Sequence, residues 1–293
     1  MPELPEVETT RRGLMPAMEG KAIARVVLNR PDLRFPIQSD FRSRIGGQTV
    51  EKIDRRAKYL LLRLSSGDVL VAHLGMSGSF RVESNGAAQA PAALYREIPR
   101  LAAHDHVVFE MGDGGRVIYN DPRRFGFMFV ANGENLEAHP RMRGIGIEPL
   151  APPIQPAILA RLFEGASTSL KAALLDQKRI AGLGNIYVCE ALHRAGLSPL
   201  RKASTIAAAD PFARAARGRL ASAIRRVLTD AIEAGGSSLR DSSGADGKPG
   251  YFQHSFRVYD REGAACPTRG CNGVIERIVQ SGRSTFYCRD CQR

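Results

Sequence analysis

The chain has 293 residues, 43% of them hydrophobic; this length suits two domains or one large one, and that apolar content excludes global disorder. A formal charge of +12 favours a polyanionic partner, nucleic acid ahead of an acidic membrane. No run of eighteen apolar residues occurs, which excludes a transmembrane helix; no membrane partner is expected.

The chain opens Met1-Pro2-Glu3-Leu4-Pro5-Glu6, with acids in place of the basic and apolar regions of a secretory signal. Cytosolic aminopeptidases remove Met1 ahead of a small residue, which would leave Pro2 as a terminal secondary amine. An α-amino group titrates at roughly 7.7–8.0, so much of it is neutral near physiological pH. A neutral amine attacks an aldehyde-like sugar carbon to give a Schiff base. Glu3 stands beside it to move protons, and Glu6 follows one short turn later. The plain alternative is a helix start, since Pro suits the first turn and acids suit the positive end of the helix.

A helix is predicted from about Pro5 to Met18. Short β-like runs follow at Ala22–Leu28, Thr49–Asp54, Tyr59–Leu64, Val69–His73, His106–Met111, Arg116–Asn120 and Phe127–Ala131. Their number and spacing predict a sandwich or barrel. Residues 84–100 read as a long loop inserted in that sheet. Pro140, Pro149, Pro152, Pro153 and Pro156 mark a domain boundary, beyond which the chain turns helical. Helices are predicted at Ala157–Glu164, at Leu170–Asp176, and from near Asn185 to Gly196. A long helix is capped by Asp210-Pro211, carries Phe212, Ala216, Leu220, Ile224, Leu228 and Ile232 at helical spacing, and stops at Gly235-Gly236. Its Arg214, Arg217, Arg219, Arg225 and Arg226 read as a solvated surface. Ser237–Gly250 reads as a linker or a mobile lid.

Four of the five cysteines fall in the last 28 residues, a metal site rather than a disulfide framework, in keeping with a reducing cytoplasm. Cys266-x4-Cys271 and Cys288-x2-Cys291 can place four thiolates around one structural zinc; a closed four-cysteine shell leaves no position for a substrate. Between them, two strands flank Gln280-Ser281-Gly282-Arg283, a turn that would present Arg283 to phosphate. Cys189 sits in a helix and reads as a small buried hydrophobe. His73-Leu74-Gly75-Met76-Ser77-Gly78-Ser79 would put Met76 on a loop tip, and Asp121-Pro122-Arg123-Arg124-Phe125-Gly126 sets an arginine beside an aromatic ring. Apolar wedges of this kind enter base stacks, although each stretch also reads as an ordinary turn. Lys58 at a strand start and Asn185 at a helix start are each either structural or phosphate contacts.

Taken together and in order, Pro2 through Glu8, Arg56 through Leu60, His73 through Gly78, Asp121 through Gly126, Gly184 through Tyr187, Asp246 through Tyr251 and the terminal finger resemble the bacterial formamidopyrimidine-DNA glycosylase family over nearly the whole chain. The resemblance implies an α+β multidomain fold: an N-terminal helix and β-sandwich at 1–139, a linker at 140–156, a helix–two-turn–helix domain at 157–250 with a lesion-capping loop at 237–250, and a zinc finger at 251–293. DNA would lie in a basic cleft between the halves. The resemblance also implies a monomeric cytoplasmic glycosylase and AP lyase acting on damaged double-stranded DNA, with no redox cofactor. By similarity Pro2 is the nucleophile and Glu3 the general acid/base. Lys58, His73, Asn185 and Arg283 hold the phosphate backbone. Met76, Arg123 and Phe125 fill the gap left by the flipped lesion, with Arg123 facing the orphaned base. Glu6 and Glu190 match positions near the pocket.

The chain departs from the family pattern in three places: the first cysteine pair is spaced by four residues instead of two, Gly165 through Ser169 lacks lysine, and Arg240-Asp241-Ser242-Ser243 replaces a commoner basic-Asp-Phe pattern. Two rivals remain. One is an endonuclease VIII-like glycosylase for oxidised pyrimidines, disfavoured by Leu4 and the Met76, Arg123 and Phe125 wedge. The other is a catalytically silent zinc protein that binds DNA, disfavoured by Pro2-Glu3 with Lys58.

Overall fold

The computed structural model describes residues 2–83, 102–237 and 250–293. The expected loop at 84–100 and the Arg240–Ser243 stretch lie outside the described residues. The chain divides into two compact units, Met1–Arg143 with Ile232–Gln253, and Gly144–Ala231 with His254–Arg293.

In the first unit helix α1 (Leu4–Met18) leads into two four-stranded antiparallel sheets. One has the order β1 (Ile23–Leu28), β6 (Asp105–Met111), β7 (Arg116–Asn120), β5 (Ser79–Glu83). The other has the order β2 (Val50–Arg56), β3 (Tyr59–Leu64), β4 (Asp68–His73), β8 (Phe127–Asn132). Alternation explains the core. Leu60, Leu62 and Leu64 of β3 share one hydrophobic cluster with Val107, Phe109 and Met111 of β6, with Val117 and Tyr119 of β7, and with Val7, Leu14 and Met18 of α1. Helix α1 is tied down by charge as well: Arg55 of β2 meets Glu8 at 3.2 Å, and Arg11 Nη1 donates to Ile53 O at 3.0 Å. The guanidiniums of Arg11 and Arg12 hold the Glu8 carboxyl below its usual range against the opposing effect of burial, which is the largest single influence on it.

The anticipated strands appear within a residue or two of their expected ends. Among the elements not anticipated are the five-residue helix α2 (Phe41–Ile45) and strand β5. Strand β5 pairs with β7, Ser79 opposite Asn120, and its Phe80 packs into the sandwich core. The alternation Phe80, Arg81, Val82, Glu83 carried that signal, but the strand follows directly on the His73–Gly78 turn.

The second unit holds α3 (Pro156–Phe163), α4 (Leu170–Leu175), α5 (Asn185–Ala195), most of α6 (Pro211–Glu233), and the hairpin β9 (Ile275–Gln280) and β10 (Arg283–Cys288). Asp210 caps α6 by accepting from Ala213 N at 2.9 Å, as its sequence indicated. Two expectations for α6 are corrected. Arg217 is buried, because its guanidinium donates to the carbonyls of Ile206 and Ala208. Phe212, expected on the apolar stripe, is 61% exposed under the guanidinium of Arg201. The last residues of α6, Ile232 and Glu233, group with the first unit.

Helix α5 is the bed of the finger. Cys189 packs with Val258, Cys266, Ile275, Phe286 and Cys288. Fully buried Glu190 accepts from the backbone N–H groups of Arg257, Val258 and Tyr259 at 2.9–3.0 Å. Hydrogen bonds to a charged acceptor are strong, and donors left orphaned carry their whole desolvation penalty. Glu190→Ala is therefore expected to lower stability by on the order of 3 kcal/mol or more. Urea unfolding measures this; a loss below about 1 kcal/mol would contradict the role.

Candidate active site and metal centre

Pro2 and Glu3 are both buried at the start of α1. Glu3 is the N-cap, and it forms a reciprocal capping box with Glu6: Glu3 N donates to Glu6 Oε2 at 2.9 Å and the Glu3 side chain accepts from the Glu6 backbone. The other Glu6 oxygen accepts from Ser237 N at 2.8 Å and Ser237 Oγ at 3.0 Å. Thus Glu6 ties the N-terminal residues to a segment 231 positions later. That segment is itself paired: Phe252 N donates to Gly236 O, and a side chain at Gly250 would run into the Gly236 backbone. The two ends of the 237–250 segment are therefore held together beside Glu6. Ser237 was not singled out in the sequence, where it reads as one more linker serine.

The turns carrying Met76, Arg123 and Phe125 are built on one buried acid. Asp121 accepts from Ser77 Oγ at 2.5 Å, Gly126 N at 2.8 Å and Tyr119 Oη at 3.2 Å. Ser77 Oγ in turn accepts from Arg123 N at 3.1 Å, which locks the two turns to one another. Gly75 has φ +61, and its α-carbon lies against the Phe125–Gly126 backbone where a side chain has no room. This frame leaves Phe125 42% exposed with the Arg123 guanidinium 4.9 Å over its ring, and Met76 half-buried on the other turn.

Lys58 sits in the tight turn joining β2 to β3, where Ala57 takes φ 54 and Arg56 pairs with Tyr59. His73 ends β4, stacked 5.1 Å from Phe127 and tilted against Tyr59 at 4.9 Å. Burial, reinforced by the nearby charges of Lys58 and Arg34, pushes the His73 pKa down to about 4. Its Nδ1 accepts from Gly75 N at 3.0 Å, so the proton of the neutral ring is on Nε2. His73 is thus a neutral donor at pH 7 and not a cation.

In the second unit Gly184 is the N-cap of α5, so Asn185 is its first helical residue and not its cap. Asn185 Nδ2 donates to Ser284 O at 2.8 Å. Lys171 of α4, 1% exposed, donates to the same carbonyl at 3.1 Å and to Thr285 Oγ1 at 2.6 Å. Burial is the main influence lowering the pKa of this ammonium. The two side chains therefore clamp the residue following Arg283. Lys171 was missed in the sequence because a lysine in a short helix reads as solvated surface. The hairpin turn is Ser281-Gly282, both at positive φ, and Arg283 opens β10 opposite Gln280, exposed. Glu190, expected near the pocket, has its carboxylate engaged by the backbone of residues 257–259.

The sulfurs of Cys266, Cys271, Cys288 and Cys291 all lie within 4.8 Å of one another. Cys266 and Cys291 are 3.7 Å apart, and Cys271 and Cys288 are 3.6 Å apart. A tetrahedron with metal–sulfur bonds of about 2.3 Å has edges of about 3.8 Å, so the four donors fit one tetrahedral ion. The wider first spacing is accommodated by a turn in which Cys271 N donates to Thr268 O at 2.9 Å. Among the described residues no helix is long and apolar enough to cross a membrane.

Two family models match the chain. The model of the formamidopyrimidine-DNA glycosylase N-terminal domain matches residues 1–128, and that of the formamidopyrimidine-DNA glycosylase H2TH domain matches residues 145–243. The chain belongs to the formamidopyrimidine-DNA glycosylase family. A formamidopyrimidine-DNA glycosylase of Mesorhizobium japonicum is 58% identical over 100% of both chains. The MutM (FPG) protein of Thermus thermophilus is 38% identical with a TM-score of 0.82, over 99% of this chain and 98% of that one. A Lactococcus lactis FPG mutant, solved in complex with DNA containing Fapy-dG, is 29% identical with a TM-score of 0.84 over 100% of both chains.

Two outcomes follow for this family member. An NMR titration of His73 should give a midpoint near 4; a midpoint near 6.5 would contradict its burial. Because the folded value lies below the unfolded one, the unfolded chain takes up the proton first, and this residue's effect is to lower stability as pH falls from about 6.5 to about 4. Asp121→Ala orphans two hydroxyls and an N–H and is expected to destabilise by on the order of 3 kcal/mol, whereas Asp121→Asn, which keeps an acceptor, should be milder. Equal urea midpoints for Asp121→Ala and the parent would remove Asp121 as the frame of the two turns.

Proposed function

We propose that this chain is a bifunctional DNA glycosylase and AP lyase of base excision repair that removes oxidised purines from duplex DNA, with Pro2 as its nucleophile. Family membership over the whole chain supports the activity. The observation that carries the residue assignment is the buried Pro2-Glu3 pair, held by the Glu6 capping box to Ser237.

A base stacked in a duplex hides its glycosidic bond and must be extruded, at a cost of a few kcal/mol. Met76, Arg123 and Phe125, on the frame built by Asp121, take the vacated space and offset that cost. Lys58 and His73 of the first unit, and Asn185 and Arg283 of the second, hold phosphates; the neutral His73 donates through Nε2. The Pro2 nitrogen then attacks C1′, and the base leaves with the electrons of the glycosidic bond. Glu3 delivers a proton to the sugar oxygen as the ring opens and the iminium forms. Loss of a C2′ proton expels the 3′ phosphate, and a second elimination expels the 5′ phosphate, leaving a one-nucleoside gap.

The metal is read as zinc, held by Cys266, Cys271, Cys288 and Cys291. Bound there it supplies folding energy to the finger that carries Arg283, and no chemical step passes through it. The 237–250 segment is read as the loop that covers the extruded base, because its two ends are held beside Glu6.

Borohydride trapping on a duplex with 8-oxoguanine opposite cytosine tests the reading. The purified protein, its mass lacking Met1, should give a covalent adduct mapping to the N-terminal peptide, and Pro2→Gly should lose most of it. Trapping confined to an oxidised-pyrimidine duplex would move the substrate to the endonuclease VIII-like class. Tight duplex binding with no adduct on either would make the chain a silent DNA-binding protein.

A further inference from the structure

His193 lies on the face of α5 that carries Asn185 and Cys189, since residues four apart share a side of a helix. Asn185 meets the hairpin at Ser284, Cys189 fills the finger core, and His193 reaches the cysteines. Its Nε2 is 3.5 Å from Cys266 Sγ, 4.0 Å from Cys291 Sγ and 3.3 Å from Thr268 Oγ1. The imidazole is 3% exposed, and its Nδ1 is buried with no partner. These facts fix the direction of the hydrogen bond. With the proton on Nδ1, a buried donor would be orphaned and the Nε2 lone pair would face two sulfurs. With the proton on Nε2, the donor faces the Cys266 sulfur and the Thr268 hydroxyl, and the group left without a partner is an Nδ1 lone pair instead of an N–H.

Thr268 stands in the same contact. Its Oγ1 is 3.7 Å from Cys291 Sγ. A metal-bound thiolate only accepts, so the hydroxyl donates to Cys291 while its oxygen receives Nε2–H. Thr268 lies within the four-residue loop between Cys266 and Cys271. Gly273 N donates to Cys271 Sγ at 3.4 Å, so three of the four sulfurs have a donor. Four thiolates around a dication leave a net charge of about −2, which such donors disperse.

We propose that His193, with Thr268, is a positioning residue of the metal site: its Nε2–H donates to the Cys266 thiolate and to Thr268, and the long Cys266–Cys271 loop serves this contact. The inference rests on reading the four cysteines as a zinc site.

The test uses the full-length protein loaded with zinc, challenged with a coloured chelator, and cobalt substitution read by absorbance. His193→Phe should release zinc about 10–100-fold faster and shift the thiolate-to-cobalt charge-transfer bands, as loss of an outer donor does. His193→Gln, which restores an N–H donor, should recover most of the parent rate. Thr268→Val, at a half-buried loop position that the finger core does not need, should accelerate release less than His193→Phe. Release from His193→Gln as fast as from His193→Phe, or unchanged release in Thr268→Val and His193→Phe alike, would overturn the proposal. A parent cobalt spectrum with three sulfurs and one nitrogen would also overturn it, by making His193 a ligand. A parent that binds no metal would instead sink the zinc reading, and this inference with it.

Discussion

A charge taken out of water must be surrounded by hydrogen-bond donors, and that constraint organises this protein at three places. Glu6, Asp121 and Glu190 are buried carboxylates that accept from backbone N–H and hydroxyl groups. Each accepts from a segment distant from its own helix or turn, or from both sides of a loop pair. Glu6 joins the chain start to Ser237, Asp121 locks two turns together, and Glu190 seats the segment that leads into the finger. The catalytic proposal depends on the first, the wedge on the second and the metal site on the third.

The same economy explains why the cations differ in kind. The guanidiniums of Arg123 and Arg283 are exposed. Lys171 and Arg217 have the same charge but are buried against carbonyls, where they shape the chain. His73 sits between these groups: burial and neighbouring cations strip its charge, and its ring keeps one directional donor. A net charge of +12 thus divides into cations free for a polyanion and cations spent on the fold.

In the second unit a single helix face measures out the finger. Asn185 at one end and His193 at the other are fixed to the hairpin turn region and to the cysteine cluster. An ion held by the four cysteines would thus share one helix face with the contact that places Ser284, the residue after Arg283. A finger held only by its ion would leave that arginine to swing on a two-stranded hairpin, which is marginal by itself.

Much was legible in the sequence because it is local or repeated. The alternation of β3 and β6, the Asp210-Pro211 cap, the cysteine spacing and the ordered motifs determined the fold class, the family and the candidate residues Pro2, Glu3, Lys58, Met76 and Arg123. Pattern did not reveal Ser237, Lys171 or the role of Asp121, because a linker serine, a helical lysine and a turn aspartate look alike wherever they occur. Nor did it show that Phe212 would be exposed and Arg217 buried on one helix, or that Glu190 would serve the backbone. Only the tertiary structure decided these, since burial and hydrogen-bond partners arise between segments far apart in the chain, and a side chain's chemistry in the folded protein follows from what surrounds it.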